Sequence, residues 1–547
     1  MPKVEDSKPE GEFSKVGIGV SILLLALLCG LCWYWGFQIG ATSLADPDTC
    51  WLLAVGRWIA THGALPPVDP FSWTAAAPDI HSLHYLPYQW LSTLVFFGVY
   101  KYCSAVGLLY FVSAVVLLAF LVLPLLLSRR LGNSLAAQGV RSVLAFSAAS
   151  FHFPLRPELF SYLFISLLVH YLVTTITAPV TLPASSQSTD AKDRPSLIAH
   201  FLLGLVFFML WANLHSAFVL GLIVLSLMVL FAFQKRLLAC LLGALVGTLL
   251  TPFNFALYGY LPQLFFSPVN KFNQELLPLR LSELFFSSDY LPYAILQVIF
   301  VISLLALTRA VYIRKDKDKE KARVISDAAE SVRPGAMFCA ALVAALLFAS
   351  GDLCRRMIPF AVLFSFLHFH LAWYYTFTQG EKPLWLRPLE RVLKVDKFQL
   401  AALAAVILSI YYGTAASAMI FPSGIPQSTS GFQVPLKAIE YIRRHRPAGR
   451  VCNDAQYGDV LILALDERAQ VFIDTRFDMY GPKLCLDYYK MANGLDDYRK
   501  LMDEYKIDWV FFPRRAPLLR RLQEDSSWKT IYSDEDALIM SRSGGSQ

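Results

Sequence analysis

The side chains best suited to chemistry follow the first apolar run, in ADPDTCWLLAVGRWIATHGALPPVDPFSW, where Asp46 and Asp48 stand two residues apart. A carboxylate held in a partly dehydrated site can take a proton from an incoming hydroxyl or ligate a hard cation. Asp48 has an equally good structural use, because Asp is a strong N-cap and a helix can begin at Thr49. The stretch after it carries Trp51, Leu52, Val55, Trp58 and Ile59, the apolar spacing of a helix lying on a membrane surface. Three more polar sites adjoin apolar runs: Arg156 and Glu158 around Pro157, Asn213 and His215 in WANLHSAF, and Asp352, Arg355 and Arg356 in GDLCRR. Ionisable groups at or near membrane depth are costly and commonly functional. Guanidinium forks match phosphate oxygens, which makes Arg156, Arg355 and Arg356 candidate phosphate holders, with Glu158, Asn213, His215 and Glu275 as the polar lining. The structural alternatives are ion pairs, such as Glu158 with an arginine, or side chains snorkelling to the interface. His368 and His370 lie inside an apolar run and are read as packing or hydrogen-bonded residues.

The elements that must position these residues belong to a membrane. Of the 547 residues 56% are hydrophobic and only 16% charged, against about 25% charged in soluble domains, and mean hydropathy is +0.48. A spanning helix needs about 20 mostly apolar residues. Some eleven runs approach that, near 16–40, 105–128, 139–155, 158–178, 197–212, 217–234, 237–255, 291–313, 335–351, 357–376 and 399–420. The segment 89–103 reads as an interfacial helix. The first run lacks a small-residue cleavage site and is read as a retained span after a cytoplasmic tail of residues 1–15.

Charge then orients the chain. The net charge of +7 would suggest nucleic acid in a soluble protein, but here the basic residues crowd alternate loops: Arg129, Arg130 and Arg141; Lys235 and Arg236; RKDKDKEKAR from Arg314; Lys382 to Lys397. The positive-inside rule makes those loops cytoplasmic. The first outer loop, 41–104, then shares the opposite face with every candidate site residue and with the C-terminal region. The nine cysteines show no metal-ligand spacing. Cys452 and Cys485 share the C-terminal region and can pair in an oxidising compartment or stay as free thiols.

From 421 to 547 the chain reads as a small soluble α/β domain following the membrane region 16–420. KAIEYIRRHR is a helix, RVCND a strand, YGDVLILAL a helix, QVFIDT a strand, and 482–505 helical. DWVFFP and WKTIYSDEDALIMSR supply the remaining strands. The cluster Asp474, Arg476, Asp478 and Tyr480 in IDTRFDMYG is expected at a strand end, where α/β sheets place ligands. No Gly-rich phosphate loop, zinc spacing or hydrolase elbow is present.

At these residues the chain resembles the GT-C superfamily of membrane glycosyltransferases, and in particular bacterial proteins with a dolichyl-phosphate-mannose-mannosyltransferase-like or aminoarabinose-transferase-like membrane domain. DPDTCWLLAVGRWI, PPVDPFSW, the QWL helix, RPELFS, WANLHSAFVLGL and RRMIPF carry the resemblance. It implies an acidic first-loop residue as catalytic base or metal ligand, here Asp48 with Asp46 as the neighbouring alternative. It further implies a polyprenyl-phosphate sugar donor, a lipid, glycan or protein acceptor, and an acceptor-binding or lid role for the C-terminal domain. Gln89 before WL and Leu52 depart from the pattern, which has an acid and often a His at those places. A divalent cation, magnesium or manganese, is compatible with the carboxylates. The expectation is thus a bacterial inner-membrane glycosyltransferase acting on the extracytoplasmic face. A transporter or flippase, or a non-catalytic assembly subunit of the same fold, are the competing readings.

Overall fold

The computed structural model describes residues 46–75, 86–133, 135–178, 196–272, 274–321, 334–378, 434–465 and 470–543. The runs near 16–40 and 399–420 that the sequence marks as spans lie outside these residues. The other nine runs are helical. Among the described residues six stretches are long and apolar enough to cross a membrane: Trp90–Arg130, Glu158–Ile176, Leu197–Leu214, Leu291–Val311, Pro334–Leu353 and Arg355–Thr376. Three helices are shorter, Leu135–Ala149, Phe218–Phe231 and Lys235–Leu249, with 15, 14 and 15 residues. At 1.5 Å per residue these reach about 21–23 Å, less than the ~30 Å hydrocarbon core. The bundle is apolar outside as well as inside, with Leu230, Ile302 and Leu305 exposed by 72%, 60% and 65%, which only a lipid-facing surface tolerates at this density.

Two breaks shape the Trp90–Arg130 stretch. At Ser104 the backbone takes φ 60° and ψ −170°, which separates the segment read as interfacial from the span that starts at residue 105. Farther on, the wider turn Leu118–Val122 absorbs Pro124, which has no N–H to give the preceding turn. Elsewhere helices meet through small residues. A Cβ on Gly243 would fall 1.9 Å from the Phe201 carbonyl oxygen and one on Gly247 2.2 Å from that of Leu205, so Lys235–Leu249 lies backbone to backbone on Leu197–Leu214. Such close approach is how helices gain packing where lipid offers no hydrophobic drive.

The C-terminal region forms one four-stranded sheet in the order β1-β2-β4-β3, from β1 (Arg450–Asn453), β2 (Ile507–Pro513), β3 (Trp528–Ser533) and β4 (Ala537–Arg542). β1 and β2 are parallel and the other pairs antiparallel. Central β2 is a near-continuous apolar run, as a strand covered on both faces should be. Helices Leu436–His445, Ala455–Leu465, Phe477–Ala492 and Tyr498–Glu504 fall where the sequence pattern puts them. QVFIDT does not join the sheet. It makes a single parallel bridge between Val471 and Ser72 of the first loop, because its backbone groups are already engaged. Val471 donates to Phe71 and accepts from Trp73, while Asn453 at the end of β1 takes the Phe472 N–H and donates to the Ile473 carbonyl, both at 2.8 Å. Cys452 and Cys485 are buried free thiols.

The two regions share one core. Leu52, Val55 and Ile59, expected against a membrane surface, are buried where the helix Asp48–His62 packs on the Trp90 helix and on Ala455–Leu465 of the C-terminal region.

Candidate functional site

Three distant segments meet around the guanidinium of Arg156. Its Nη2 lies 2.8 Å from Asp46 Oδ2 and its Nε 3.0 Å from Asp48 Oδ2. Its Nη1 donates to both Glu275 oxygens, at 3.0 and 2.9 Å. Arg156 stands just ahead of Pro157, whose fixed φ of −57° opens the helix Glu158–Ile176, so the guanidinium is held at a helix mouth. The capping reading of Asp48 can now be judged. The residue before the helix is Pro47, which makes no side-chain cap; instead Asp46 Oδ1 accepts the Asp48 N–H at 2.9 Å. Asp46 closes the helix start, and the Asp48 carboxylate is left for Arg156.

Burial and the adjacent Asp48 push the Asp46 carboxyl up to about 6, against the pull of Arg156. Burial acts on Glu275 in the same direction, but His152 and Arg156 outweigh it and hold the group at about 2. His152 Nε2 is 3.5 Å from Glu275 Oε2.

A second group adjoins the first. Glu158 pairs with Arg356 through Oε1, and its Oε2 is 3.9 Å from His215 Nε2. Trp211 Nε1 donates to Ser161 Oγ at 2.8 Å, and the Ser161 hydroxyl and the Ala217 N–H both serve His215 Nδ1, at 2.8 and 3.2 Å. With Nδ1 accepting, the ring proton is assigned to Nε2, facing Glu158. Burial, with His152 nearby, lowers His215 to about 3, which keeps the imidazole neutral. Arg156 and Glu158 stand on either side of Pro157 at the mouth of one helix, so the two groups adjoin.

Two expected site residues are engaged elsewhere. Asn213 donates to the carbonyls of Met209 and Leu250 at 2.8 and 3.0 Å and accepts from Trp90 Nε1 at 2.8 Å, which ties three helices together at the site's back wall. Arg355 pairs with Glu283 at 2.9 Å and takes no part in the Arg156 cluster. Within the spans, His368 and His370 contact hydroxyls of Ser303 and Ser128 at 3.2 and 3.4 Å, consistent with packing roles.

The C-terminal region supplies the remaining wall, in a way no motif announces. Thr475 donates its hydroxyl to Asp48 Oδ1 at 2.5 Å, and Tyr260 donates to Asp478 Oδ2 at 3.4 Å. Arg476 bridges Asp474 and first-loop Asp69 at 2.6 and 2.7 Å, with all three side chains at most 5% exposed. The IDTRFDMYG cluster is therefore at the junction with the first loop and not at the end of a sheet strand. Asp69 lies in PPVDPFSW and Thr475 in IDTRFDMYG, but neither stands out there as a site residue, and His152 and Asp459 carry no sequence signature.

No family model matches the chain, and no curated protein does. Solved structures do. The archaeal oligosaccharyltransferase AglB from Archaeoglobus fulgidus, in complex with an inhibitory peptide and a dolichol-phosphate, aligns over 90% of this chain and 69% of its own at 11% identity and TM-score 0.52. ArnT from Cupriavidus metallidurans bound to undecaprenyl phosphate aligns over 96% of this chain and 99% of its own at 12% identity and TM-score 0.50. The fold is similar to that of these two GT-C membrane glycosyltransferases. That likeness is in keeping with the six helices among the described residues that are long and apolar enough to cross a membrane.

Whether this site suits a divalent cation is decided by Arg156. The three carboxylates nearest one another, Asp46, Asp48 and Glu275, converge on its guanidinium. Among the described residues no three His, Cys, Asp or Glu are arranged to hold an ion. The residues as placed do not fit magnesium or manganese, and the chemistry below is carried by side chains.

Proposed function

We propose that this protein is a membrane glycosyltransferase that moves a sugar from a polyprenyl-phosphate-linked donor to the hydroxyl of a lipid, glycan or protein acceptor, on the extracytoplasmic face of a bacterial inner membrane. The observation that carries this reading is the Asp48 carboxylate, held at a helix mouth by Arg156 and Thr475 in a GT-C fold. Two neighbours of that fold are complexes with dolichol-phosphate and undecaprenyl phosphate. Asp48 takes the proton of the acceptor hydroxyl, whose oxygen attacks the anomeric carbon from the face opposite the phosphate. The bond from that carbon to the phosphate oxygen breaks, and polyprenyl phosphate leaves with the electron pair and the configuration inverted.

Arg356 is the arginine we assign to the leaving phosphate. Among the described residues its one ion pair is with Glu158, and its side chain is 34% exposed, whereas Arg156 already answers three acids and Arg355 is paired with Glu283. Neutral His215 and Glu158 then line the sugar side. The polar groups gather at one end of the helices: Glu158 is the first residue of its helix, His215 follows the last residue of its own, and Arg356 precedes Ile358–Trp373. A transport pathway would instead carry charge toward the bilayer midplane, so this placement favours transfer.

The test is turnover of labelled polyprenyl-phosphate sugar by purified protein in lipid, with acceptors of each class. Asp48→Asn preserves shape and removes the base, and kcat is expected to fall about 10²–10⁴-fold with insertion and thermal stability retained. Full activity in Asp48→Asn would remove the assignment.

A further inference from the structure

We propose that Thr475, carried by the C-terminal domain, is a positioning residue for Asp48, so that the reactive carboxylate is complete only when that domain is docked on the first loop. The inference rests on the glycosyltransferase reading above. Asp48 is held at both oxygens, Oδ1 by a hydrogen bond from the Thr475 hydroxyl at 2.5 Å and Oδ2 by its ion pair with Arg156, whose Nε lies 3.0 Å away but does not aim its N–H at that oxygen. Two anchors on opposite oxygens set the plane of the carboxylate and leave each oxygen a lone pair for an incoming proton. With the Thr475 anchor removed, the carboxylate is free to turn both oxygens onto the Arg156 fork, the preferred geometry of that pair, and away from an acceptor.

Thr475 is itself held from two sides. Its N–H donates to Asp459 Oδ1 at 3.3 Å, and Asp459 is wholly buried with its Oδ2 unpartnered among the described residues. Burial, reinforced by Asp474 and Asp48, pushes that carboxyl well above the usual range. On the other side, Arg476 clasps Asp69 of the first loop, and Arg57 of the Asp48–His62 helix donates to the Leu463 carbonyl at 2.8 Å. The threonine is thus delivered by a junction tied on both sides.

Thr475→Val keeps the shape of the side chain and deletes the donor. A reacting group displaced by about 1 Å loses on the order of 10²-fold in rate, so kcat is expected to fall about 10- to 100-fold while donor KM stays within about twofold. A carboxylate that loses a donated hydrogen bond holds its proton more tightly, and the acid limb of the pH–rate profile should move to higher pH. Thr475→Ser, which restores the hydroxyl, should recover both. Hydrogen exchange across residues 46–62, measured without substrate, should rise in Thr475→Val and return in Thr475→Ser, and Thr475→Ala replaces the valine variant if that one does not fold. Wild-type kcat and an unmoved acid limb in an active, folded Thr475→Val protein would overturn the inference. If the wild-type protein consumes no lipid-linked sugar, the glycosyltransferase reading fails by itself, and the exchange measurement then decides whether Thr475 fixes the first loop: unchanged exchange in the variant overturns it.

Discussion

Asp46 and Glu275 share one guanidinium and respond to pH in opposite senses. The folded protein raises Asp46 from 3.8 to about 6, chiefly through burial and then through Asp48. Between those values the native state binds a proton that the unfolded chain releases, so the contribution of Asp46 to stability declines as pH rises from about 3.8 through 6. Glu275 is lowered from 4.5 to about 2 by His152 and Arg156 in spite of burial, and its contribution is lost as pH falls from about 4.5 through 2. Thermal unfolding followed against pH should show both. Asp46→Asn is expected to flatten the decline between pH 4 and 6, and Glu275→Gln to remove the loss below pH 4.5; identical pH profiles in both variants would refute the assignment. Most of this cluster was readable from sequence, because an acid or arginine beside an apolar run is conspicuous. Thr475 and His152 were not, since a hydroxyl or imidazole in a mixed segment has no pattern of its own, and Asp459 is hidden inside the apolar spacing of YGDVLILAL.

At the scale of elements, apolar length made the helices of the bundle legible, and the change of pattern at residue 105 marked the Ser104 break. QVFIDT misled for a physical reason. Alternating apolar residues report burial on alternate sides of an extended chain, and Val471, Phe472 and Ile473 are buried between the first loop and the end of β1, not between sheet strands. What holds the segment there is the approach of the helix Ala455–Leu465. A Cβ on Gly458 would lie 2.2 Å from the Ile473 carbonyl oxygen and 2.7 Å from Asn453 Nδ2, so the helix must retreat if that position gains a methyl. Gly458→Ala is expected to cost about 1–3 kcal/mol as overpacking and to lower turnover more than stability alone explains, because residues 471–475 carry Thr475. A variant with wild-type melting and activity would show that this contact is slack.

The whole molecule is joined by charge as well as by apolar packing. Apolar side chains run without interruption from Leu52 and Val55 of the first loop through Leu461 and Ile462 to Val451 and Trp509 of the sheet, so the bundle and the C-terminal domain should melt together. At their junction Arg476 answers both Asp69 and Asp474, while Tyr480 donates to Asp474 at 2.8 Å and the Ser72 hydroxyl to Asp69 at 2.7 Å. Every charge in this clasp is buried, and removing the central cation leaves two carboxylates facing each other without water. Breaking a buried pair from one side costs about 3–5 kcal/mol, and the Asp69 half of the clasp falls on the contact between domains. Arg476→Met, which keeps the stem and deletes the charge, is therefore expected to split a single calorimetric transition into two, with hydrogen exchange rising at 69–75 and 471–478 before the sheet opens. Turnover should fall with docking, since Thr475 leaves Asp48 when the clasp opens. A single unshifted transition in Arg476→Met would mean that apolar contact alone holds the domain in place, and that the clasp sets register without contributing to the strength of the junction.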